Sequence, residues 1–151
     1  MGHHTMMKYN LVRRSLITLI SICSFGIAAH GPVTPQSIDT STLPQLGEEW
    51  EETNPYREKQ GDVLKEVIRV GASAYNQNCA RCHGLEGISG GIAPDLRQLS
   101  IDYEGDEWFI YRVQNGAVRN GAVYMPKMTE HLSQEALWSI RTWLESVSDK
   151  N

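Results

Sequence analysis

Two cysteines and a histidine form a cluster whose spacing points to a specific chemistry. Cys79 and Cys82 lie three positions apart, His83 follows at once, and Gly84 completes the segment CARCHG. Two thiols at this spacing can form thioether bonds to the vinyl groups of a haem, and the adjacent imidazole can bind the iron. The segment therefore predicts a c-type attachment site for one covalently bound haem c.

Two other uses of these residues fit the sequence less well. A zinc site needs about four Cys or His ligands, and downstream of His83 there is no further cysteine and only His131. A thioredoxin-like redox pair would follow a strand in an alternating strand and helix pattern. This motif instead follows a helical pattern and runs into a glycine-rich loop, so haem attachment is favoured.

A second axial iron ligand would come from the methionines that follow residue 29, which are Met125 and Met128. Pro126 biases Met125 toward an extended backbone and stiffens its loop, as a thioether that must reach a fixed iron requires. Met128 lies in a less constrained stretch and is expected to pack in the core. Met125 is therefore favoured, and Met128, His131 or an open position are the alternatives.

The loop after the motif is predicted to orient the histidine. An iron-bound histidine normally donates its second ring N–H to an oxygen, commonly a backbone carbonyl. The loop is dense in glycine, so it can carry Pro94 back beneath His83 to supply that carbonyl, and Leu96 can close the pocket wall. The alternative for Pro94 is a plain kink in the loop.

Amphipathic patterns predict two long helices at the ends of the domain. The first spans Asp62 to Asn78, and its apolar face is predicted to contain Leu64, Val67, Ile68, Gly71, Ala72 and Tyr75. Gly71 and Ala72 leave room for a second helix to cross closely. Ser133 is the expected N-cap of the second, which has one apolar stripe: Leu137, Ile140, Trp143, Leu144 and Val147. Trp138 lies off this stripe and is expected to be exposed or at the haem edge.

A third, shorter helix is predicted from Asp106 to Asn115, ending at Gly116. Its inward side chains are expected to be Phe109, Ile110 and Val113. Trp108 or Tyr111 could lie near a haem edge or propionate, and packing in the core is the favoured role for most of these aromatic residues.

The remaining segments are predicted from their composition. Residues 1–29 combine a basic start with an apolar stretch of 14 residues and a small-residue end, as in a secretory signal peptide. Residues 30–60 are rich in proline and lack a period, which indicates an extended arm that Trp50 and Tyr56 pin to the domain. Its glutamates are expected to face water: Glu48, Glu49, Glu51 and Glu52. The alternative is a leader that does not pack on the domain. The domain itself is expected at 61–148, with a tail at 149–151.

The charge balance argues against some partners. Of 14 basic residues, three lie in residues 1–29, which leaves 11 against 18 acidic residues and a formal charge of −7 for the rest. Such acidity argues against nucleic acid or an anionic membrane surface as a partner.

Four segments together resemble the class I monohaem cytochromes c: CARCHG, GGIAPDL at 90–96, YMPKM at 124–128 and the helix containing Trp143 and Leu144. The arm, with HGPVTPQ at 30–36 and EEWEETNPYR at 48–57, and RNGAVYMPKM at 119–128 look like the soluble cytochromes c that accept electrons from periplasmic quinoprotein ethanol dehydrogenases.

This resemblance implies an all-α fold in which the N- and C-terminal helices cross around one covalent haem. It implies thioether bonds from Cys79 and Cys82, His83 and Met125 as axial ligands, and Pro94 as the carbonyl acceptor. The implied function is that of an electron-transfer protein and not an enzyme. It would be a monomer in the periplasm, not inserted in a membrane, with a pyrroloquinoline quinone (PQQ) alcohol dehydrogenase as donor and a terminal oxidase or another cytochrome as acceptor.

Two other functions remain open from the sequence. One is a ligand-binding haem sensor or enzyme, which would need an open iron position. The other is a cytochrome c subunit of a membrane-bound dehydrogenase or oxidase complex, held by an uncleaved anchor.

Overall fold

The computed structural model describes residues 34–149, which are mostly helical, as predicted, and include one small hairpin. The predicted signal peptide lies outside the described residues. Between residues 34 and 149, none of the helices has both the length and the hydrophobicity that crossing a membrane requires. The elements are α1 (Gly61–Asn78), α2 (Ala80–His83), α3 (Tyr103–Asn115), β1 (Ala117–Arg119), β2 (Ala122–Met125) and α4 (Gln134–Ser146).

Helices α1 and α4 cross in close contact, which joins the two ends of the domain as predicted. A Cβ atom built at Gly71 would lie 2.0 Å from the Ser139 carbonyl oxygen and 3.0 Å from Trp143 Cβ. The backbones can approach this closely because Gly71 has no side chain. The buried face of α1 is rotated slightly from the predicted one, since Val70, Ala74 and Asn78 are buried while Ile68 and Ala72 are only partly covered.

Helix α4 is buried on more than one side, and this corrects the expectation that Trp138 could be exposed. Ser133 caps the helix as predicted, accepting a hydrogen bond from the Ala136 N–H. The Trp138 side chain is 0% exposed, with its ring 6.2 Å from that of Phe109 on α3. The prediction of one apolar stripe underestimates how much of this helix is buried, because α1, α3 and the arm all contact it.

Helix α3 begins three residues before its predicted start. The Asp102 carboxylate accepts a hydrogen bond from the Gly105 N–H and so caps a helix that starts at Tyr103. It ends at Asn115 as predicted, and Phe109 and Val113 are buried while Ile110 is partly buried.

The hairpin of β1 and β2 was not predicted, although its turn carries a clear signal. Asn120 and Gly121, which connect the strands, both have positive φ, +50° and +77°. Asn-Gly is the sequence that such two-residue hairpin turns favour. Val118 pairs with Val123 and Arg119 with Ala122 in an antiparallel register.

The arm packs against the helices, and of the two aromatic residues expected to attach it, Tyr56 is buried and Trp50 is not. Tyr56 is 0% exposed and its hydroxyl donates a hydrogen bond to the Pro44 carbonyl at 2.7 Å. Leu43 also enters the core, whereas Trp50 is 39% exposed. The arm glutamates face water as expected: Glu48, Glu49, Glu51 and Glu52.

A buried ionic cluster ties the arm to α3 and α4. Asp106 is 0% exposed, and its carboxylate accepts hydrogen bonds from Arg57 at 2.7 Å, from Arg141 at 2.8 Å and from the Asn54 backbone N–H at 2.9 Å. Arg57 also contacts Glu145 at 2.7 Å. The carboxylate of Asp106 is thus shared by two guanidinium groups from different parts of the chain.

Replacing Asp106 tests whether the arm unfolds together with the helices. We expect Asp106→Asn to lower the free energy of unfolding by about 3 kcal/mol, because two guanidinium groups lose their shared counter-charge in the interior. Urea denaturation of the haem-loaded protein measures this. The control Lys65→Gln breaks the exposed pair with Asp62 and should change the free energy of unfolding far less. Equal small effects in both variants would contradict the cluster's structural role.

Replacing Gly71 tests the helix crossing. Alanine in place of glycine normally stabilises a helix by about 1 kcal/mol. Here we expect Gly71→Ala to destabilise the protein by about 2 kcal/mol, because the new Cβ would meet the Ser139 backbone. Gly90→Ala is the matched control, since a Cβ there meets nothing within 4 Å. A Gly71→Ala variant as stable as the parent in urea would show that the helices are not in close contact.

Candidate functional site

The cysteines and the histidine project from one short turn. The Cys79 N–H donates to the Tyr75 carbonyl at 2.7 Å at the end of α1, and the N–H groups of Cys82 and His83 donate to the Cys79 carbonyl at 3.1 and 3.0 Å. These bonds form the single turn of α2, which brings the two sulfurs and the imidazole into one small region. Gly84 ends the turn at φ +84°, where a Cβ would lie 1.8 Å from the Ile88 carbonyl oxygen, so a larger residue does not fit.

The predicted contact between His83 and Pro94 is present. His83 Nδ1 lies 2.9 Å from the Pro94 carbonyl oxygen. Because a carbonyl can only accept, Nδ1 carries a proton, and Nε2 is the ring nitrogen left to bind a metal. The imidazole is therefore in the tautomer that an iron ligand needs.

Ser89 and Asp95 hold the loop that carries Pro94, and the sequence prediction missed both. The Ser89 hydroxyl donates to the Ala93 carbonyl at 2.5 Å, and the Asp95 carboxylate accepts from the N–H groups of Ser89 and Arg97 at 3.3 and 3.1 Å. The Arg97 guanidinium lowers the pKa of Asp95 to about 2. Asp95 therefore stays ionised at neutral pH. An Asp directly after Pro is a turn-forming signal that could have identified it.

Burial affects the chemistry of the first cysteine. Removal from water, and secondarily the nearby Cys82, raises the pKa of the Cys79 thiol to about 12. The environment disfavours a thiolate, which is the form that binds zinc or acts as a redox nucleophile. It suits a neutral sulfur such as that of a thioether.

Tyr75 links the attachment turn to the helix crossing. Its hydroxyl donates to the Gly84 carbonyl at 2.8 Å, and its ring lies 4.4 Å from that of Trp143 on α4. The sequence pattern identified Tyr75 as a core residue but gave no sign of its hydrogen bond, which depends on how the chain turns after His83. Leu96, predicted for the pocket wall, is buried.

Met125 lies on a separate segment, at the end of β2. It is partly buried, whereas Met128 is 4% exposed and packs in the core as predicted. Gly116, at φ +65°, lies so close to Met125 that a Cβ at Gly116 would be 2.4 Å from the Met125 carbonyl oxygen. The sequence identified Gly116 only as a helix terminator. Within residues 34–149 the predicted site residues form two groups, the attachment turn with Pro94 and the loop of Met125, with no hydrogen bond between the two groups.

The residues present fit a covalently attached haem. The two sulfurs and a correctly oriented imidazole come from one turn, and the environment of Cys79 favours neutral sulfur. Large apolar side chains are exposed in the loop after the motif and in the hairpin before Met125, where the apolar ring of a haem can cover them: Leu85, Ile88, Ile92, Val118 and Val123.

Comparisons with known proteins agree with this site. The family profile described as cytochrome c oxidase, cbb3-type, subunit III matches residues 66–144. Cytochrome c550 of Pseudomonas aeruginosa is 59% identical over 144 residues, covering 93% of this chain and 97% of the relative.

Two enzymes of Pseudomonas putida are similar over part of the chain. Quinohemoprotein alcohol dehydrogenase ADH-IIG is 34% identical over 77 residues, which is 51% of this chain and 10% of the enzyme. Quinohemoprotein alcohol dehydrogenase ADH IIB is 36% identical over 81 residues, which is 54% of this chain and 11% of the enzyme. No solved structure matches the chain.

The profile covers more than half of the chain, and the similarity to cytochrome c550 extends over nearly all of it. The chain therefore belongs to the cytochrome c family, as an electron-transfer protein that carries covalently bound haem c.

Proposed function

We propose that this cytochrome c carries single electrons in the periplasm, from a PQQ-dependent alcohol dehydrogenase to a terminal oxidase or another cytochrome. The observation that carries the proposal is the similarity of its haem-binding region to part of two quinohemoprotein alcohol dehydrogenases. We take the matched 77 and 81 residues to be the haem-bearing portion of those enzymes.

The similarity suggests a relationship between fused and separate electron carriers. In an enzyme that contains both a quinone cofactor and a haem, electrons can pass from one to the other within the molecule. A separate cytochrome with the same kind of haem domain can accept electrons from a dehydrogenase that lacks one. The close relation to cytochrome c550, a protein of similar length, supports this carrier over a domain of a larger enzyme.

We propose specific roles for the site residues. Cys79 and Cys82 form the thioether bonds, and His83 binds the iron through Nε2 while its Nδ1–H donates to the Pro94 carbonyl. Met125 would supply the second iron ligand. Leu96 forms part of the pocket wall, as its burial supports.

These roles favour electron transfer over catalysis at the iron. When bound, the haem supplies a one-electron couple between ferric and ferrous iron. With His83 and Met125 in both axial positions, a substrate would have to displace a ligand to reach the metal. Methionine sulfur is soft and neutral, so Met125 favours the ferrous state, and the hydrogen bond to Pro94 keeps the His83 ring in one orientation in both states.

The proposed location and organisation follow from the sequence. Residues 1–29 would direct export and be removed, leaving the arm at 30–60, the haem domain at 61–148 and the tail at 149–151. Covalent haem attachment outside the cytoplasm agrees with export. We propose a monomer that binds neither nucleic acid nor membrane and meets its partners transiently.

A second candidate function is a cytochrome subunit of a membrane-bound dehydrogenase or oxidase complex, which the description of the matching family profile favours. An uncleaved segment at residues 1–29 would then serve as an anchor. Finding the mature N-terminus at His30 in the periplasmic fraction would support the free carrier, and a membrane-bound form that retains residues 1–29 would support the subunit.

Replacing Met125 tests the proposed axial ligand. We expect Met125→Ala to lower the reduction potential by on the order of 100 mV, because the iron loses its soft ligand. The ferric protein should lose its methionine-to-iron charge-transfer band, and the reduced protein should bind carbon monoxide. Met128→Leu is the control and should keep the band, because Met128 packs in the core. An unchanged potential and spectrum in Met125→Ala would rule out this ligand.

Mixing the purified ferric protein with a quinoprotein alcohol dehydrogenase tests the proposed donor. We expect the haem absorption to change to the ferrous form only when alcohol is added, because the dehydrogenase then has electrons to pass on. Ascorbate provides the control that the haem can be reduced. A protein that ascorbate reduces but that stays ferric with every quinoprotein alcohol dehydrogenase tested would refute the donor, while leaving the haem site itself unaffected.

A further inference from the structure

The hairpin and the end of α3 are locally basic in a protein that is acidic as a whole. Residues 108–129 contain three basic residues and no Asp or Glu, whereas the full chain has 18 acidic and 14 basic residues. We call the part formed by Tyr111, Arg112, Arg119, Tyr124 and Lys127 the hairpin surface. All five lie within 17 residues of the sequence; Arg112 is partly buried and the other four are exposed.

The positive charges of the hairpin surface have no ion-pair partner in the part of the chain that the structure describes. Five cations elsewhere have a carboxylate within 4.0 Å: Arg57, Lys65, Arg69, Arg97 and Arg141. Arg112, Arg119 and Lys127 have no such carboxylate among residues 34–149. Their charge is therefore available to a partner.

Aromatic rings hold the two arginines in place. The Arg119 guanidinium lies 5.4 Å from the centre of the Tyr124 ring, and that of Arg112 lies 5.7 Å from the centre of the Tyr111 ring. Arg112 also donates a hydrogen bond to the Gly116 carbonyl at 2.9 Å. Such contacts reduce the side-chain entropy that would be lost on binding. The tyrosine rings are 63% and 57% exposed and provide apolar contact area beside the charges.

The hairpin surface also lies next to the proposed axial ligand. Side chains alternate between the two faces of a strand, so Tyr124 points to the face opposite Val123 and Met125. The contact between Arg119 and Tyr124 places Arg119 on that same outer face. Gly116 connects Arg112 to the segment of Met125, because its carbonyl accepts the hydrogen bond from Arg112 and its backbone lies against that of Met125 and Lys127. The outer, basic face therefore begins one residue from Met125.

We propose that the hairpin surface docks an acidic surface on an electron-transfer partner, with Arg119 and Lys127 supplying the principal attraction. This inference rests on the proposed function, because only an axial Met125 brings the surface close to the haem. The partner is a protein with exposed Asp and Glu side chains around its own redox site. The overall negative charge of the chain argues against nucleic acid as the occupant. The local charge, not the net charge, selects the partner.

An NMR titration tests the surface without electron transfer. The probe is a hexaglutamate peptide, added at low ionic strength to the reduced, haem-loaded protein labelled with 15N. We expect the amide shifts to change most in residues 108–129. The double variant Arg119→Gln/Lys127→Gln should bind the peptide roughly tenfold more weakly, at about two- to fivefold for each exposed charge removed. Arg112 is kept because of its bond to Gly116.

The matched control is Lys65→Gln, which removes one positive charge from an exposed pair on α1 and should leave peptide affinity within about twofold. Shifts that concentrate outside residues 108–129, or equal losses in the control and the double variant, would overturn the proposal. The proposal would also be overturned if residues 108–129 bound a single-stranded oligothymidylate more tightly than the hexaglutamate peptide.

A kinetic measurement separates this proposal from the proposed donor. With a quinoprotein alcohol dehydrogenase that reduces the parent protein, the double variant should be reduced about tenfold more slowly at low salt, and the difference should shrink as salt is added. Equal rates at low salt would overturn the surface. If no dehydrogenase reduces the parent, the proposed function fails, and the peptide titration still decides whether the surface binds acidic groups.

Discussion

The close approach of α1 and α4 at Gly71 is the constraint on which the rest of the structure depends. The missing side chain lets the two backbones meet, with a hypothetical Cβ only 2.0 Å from the Ser139 oxygen. One helical turn further along each helix, Tyr75 and Trp143 then face one another at 4.4 Å. Because Tyr75 also donates to the Gly84 carbonyl, the crossing fixes the end of the attachment turn. The contact that joins the ends of the domain thus also positions the cysteines and the histidine.

The arm depends on a different kind of interaction, since it contains no helix or strand of its own within residues 34–60. Leu43 and Tyr56 join the apolar core, but apolar contacts tolerate small shifts of the arm. The hydrogen bonds to the buried carboxylate of Asp106 do not tolerate such shifts, because Arg57 and the Asn54 N–H reach it in only one position of the arm. Buried ion pairs contribute little net stability when desolvation is counted. The cluster therefore matters mainly in selecting one position of the arm.

The sequence predicted the features that depend on local signals. The Ser133 cap, the end of α3 at Asn115 and the open crossing point at Gly71 each follow from a residue type at a short, fixed spacing. The contact of His83 with Pro94 was also predictable, because iron-bound histidines need an acceptor and the glycine-rich loop is long enough to supply one. The Asn-Gly turn of the hairpin belongs to this class as well, and its signal was overlooked.

The features that were missed depend on which segments meet in three dimensions. Trp138 is buried because three other parts of the chain surround α4, which no periodicity within one helix reveals. The sequence pattern predicts a helix start at Asp106, but its carboxylate accepts hydrogen bonds from Arg57 and Arg141. Asp102 caps the helix instead. The bond from Tyr75 to Gly84 and the contact of Gly116 with Met125 likewise need the folded backbone.

The separation of charge on the molecule affects how it can meet a partner. At an ionic strength of about 0.1 M, charges more than about 10 Å apart are largely screened from each other. Carboxylates that lie farther than this from the hairpin surface then influence a partner bound there only weakly, whereas Arg119 and Lys127 act at contact distance. At lower ionic strength the net negative charge repels an acidic partner while the hairpin surface attracts it, so an approach through the hairpin surface is favoured over an approach to an acidic part of the molecule. That orientation turns the segment of Met125, the proposed iron ligand, toward the partner. A carrier that must release its partner after each electron gains from such an arrangement, because a small attractive patch orients the encounter while the opposing net charge limits its lifetime.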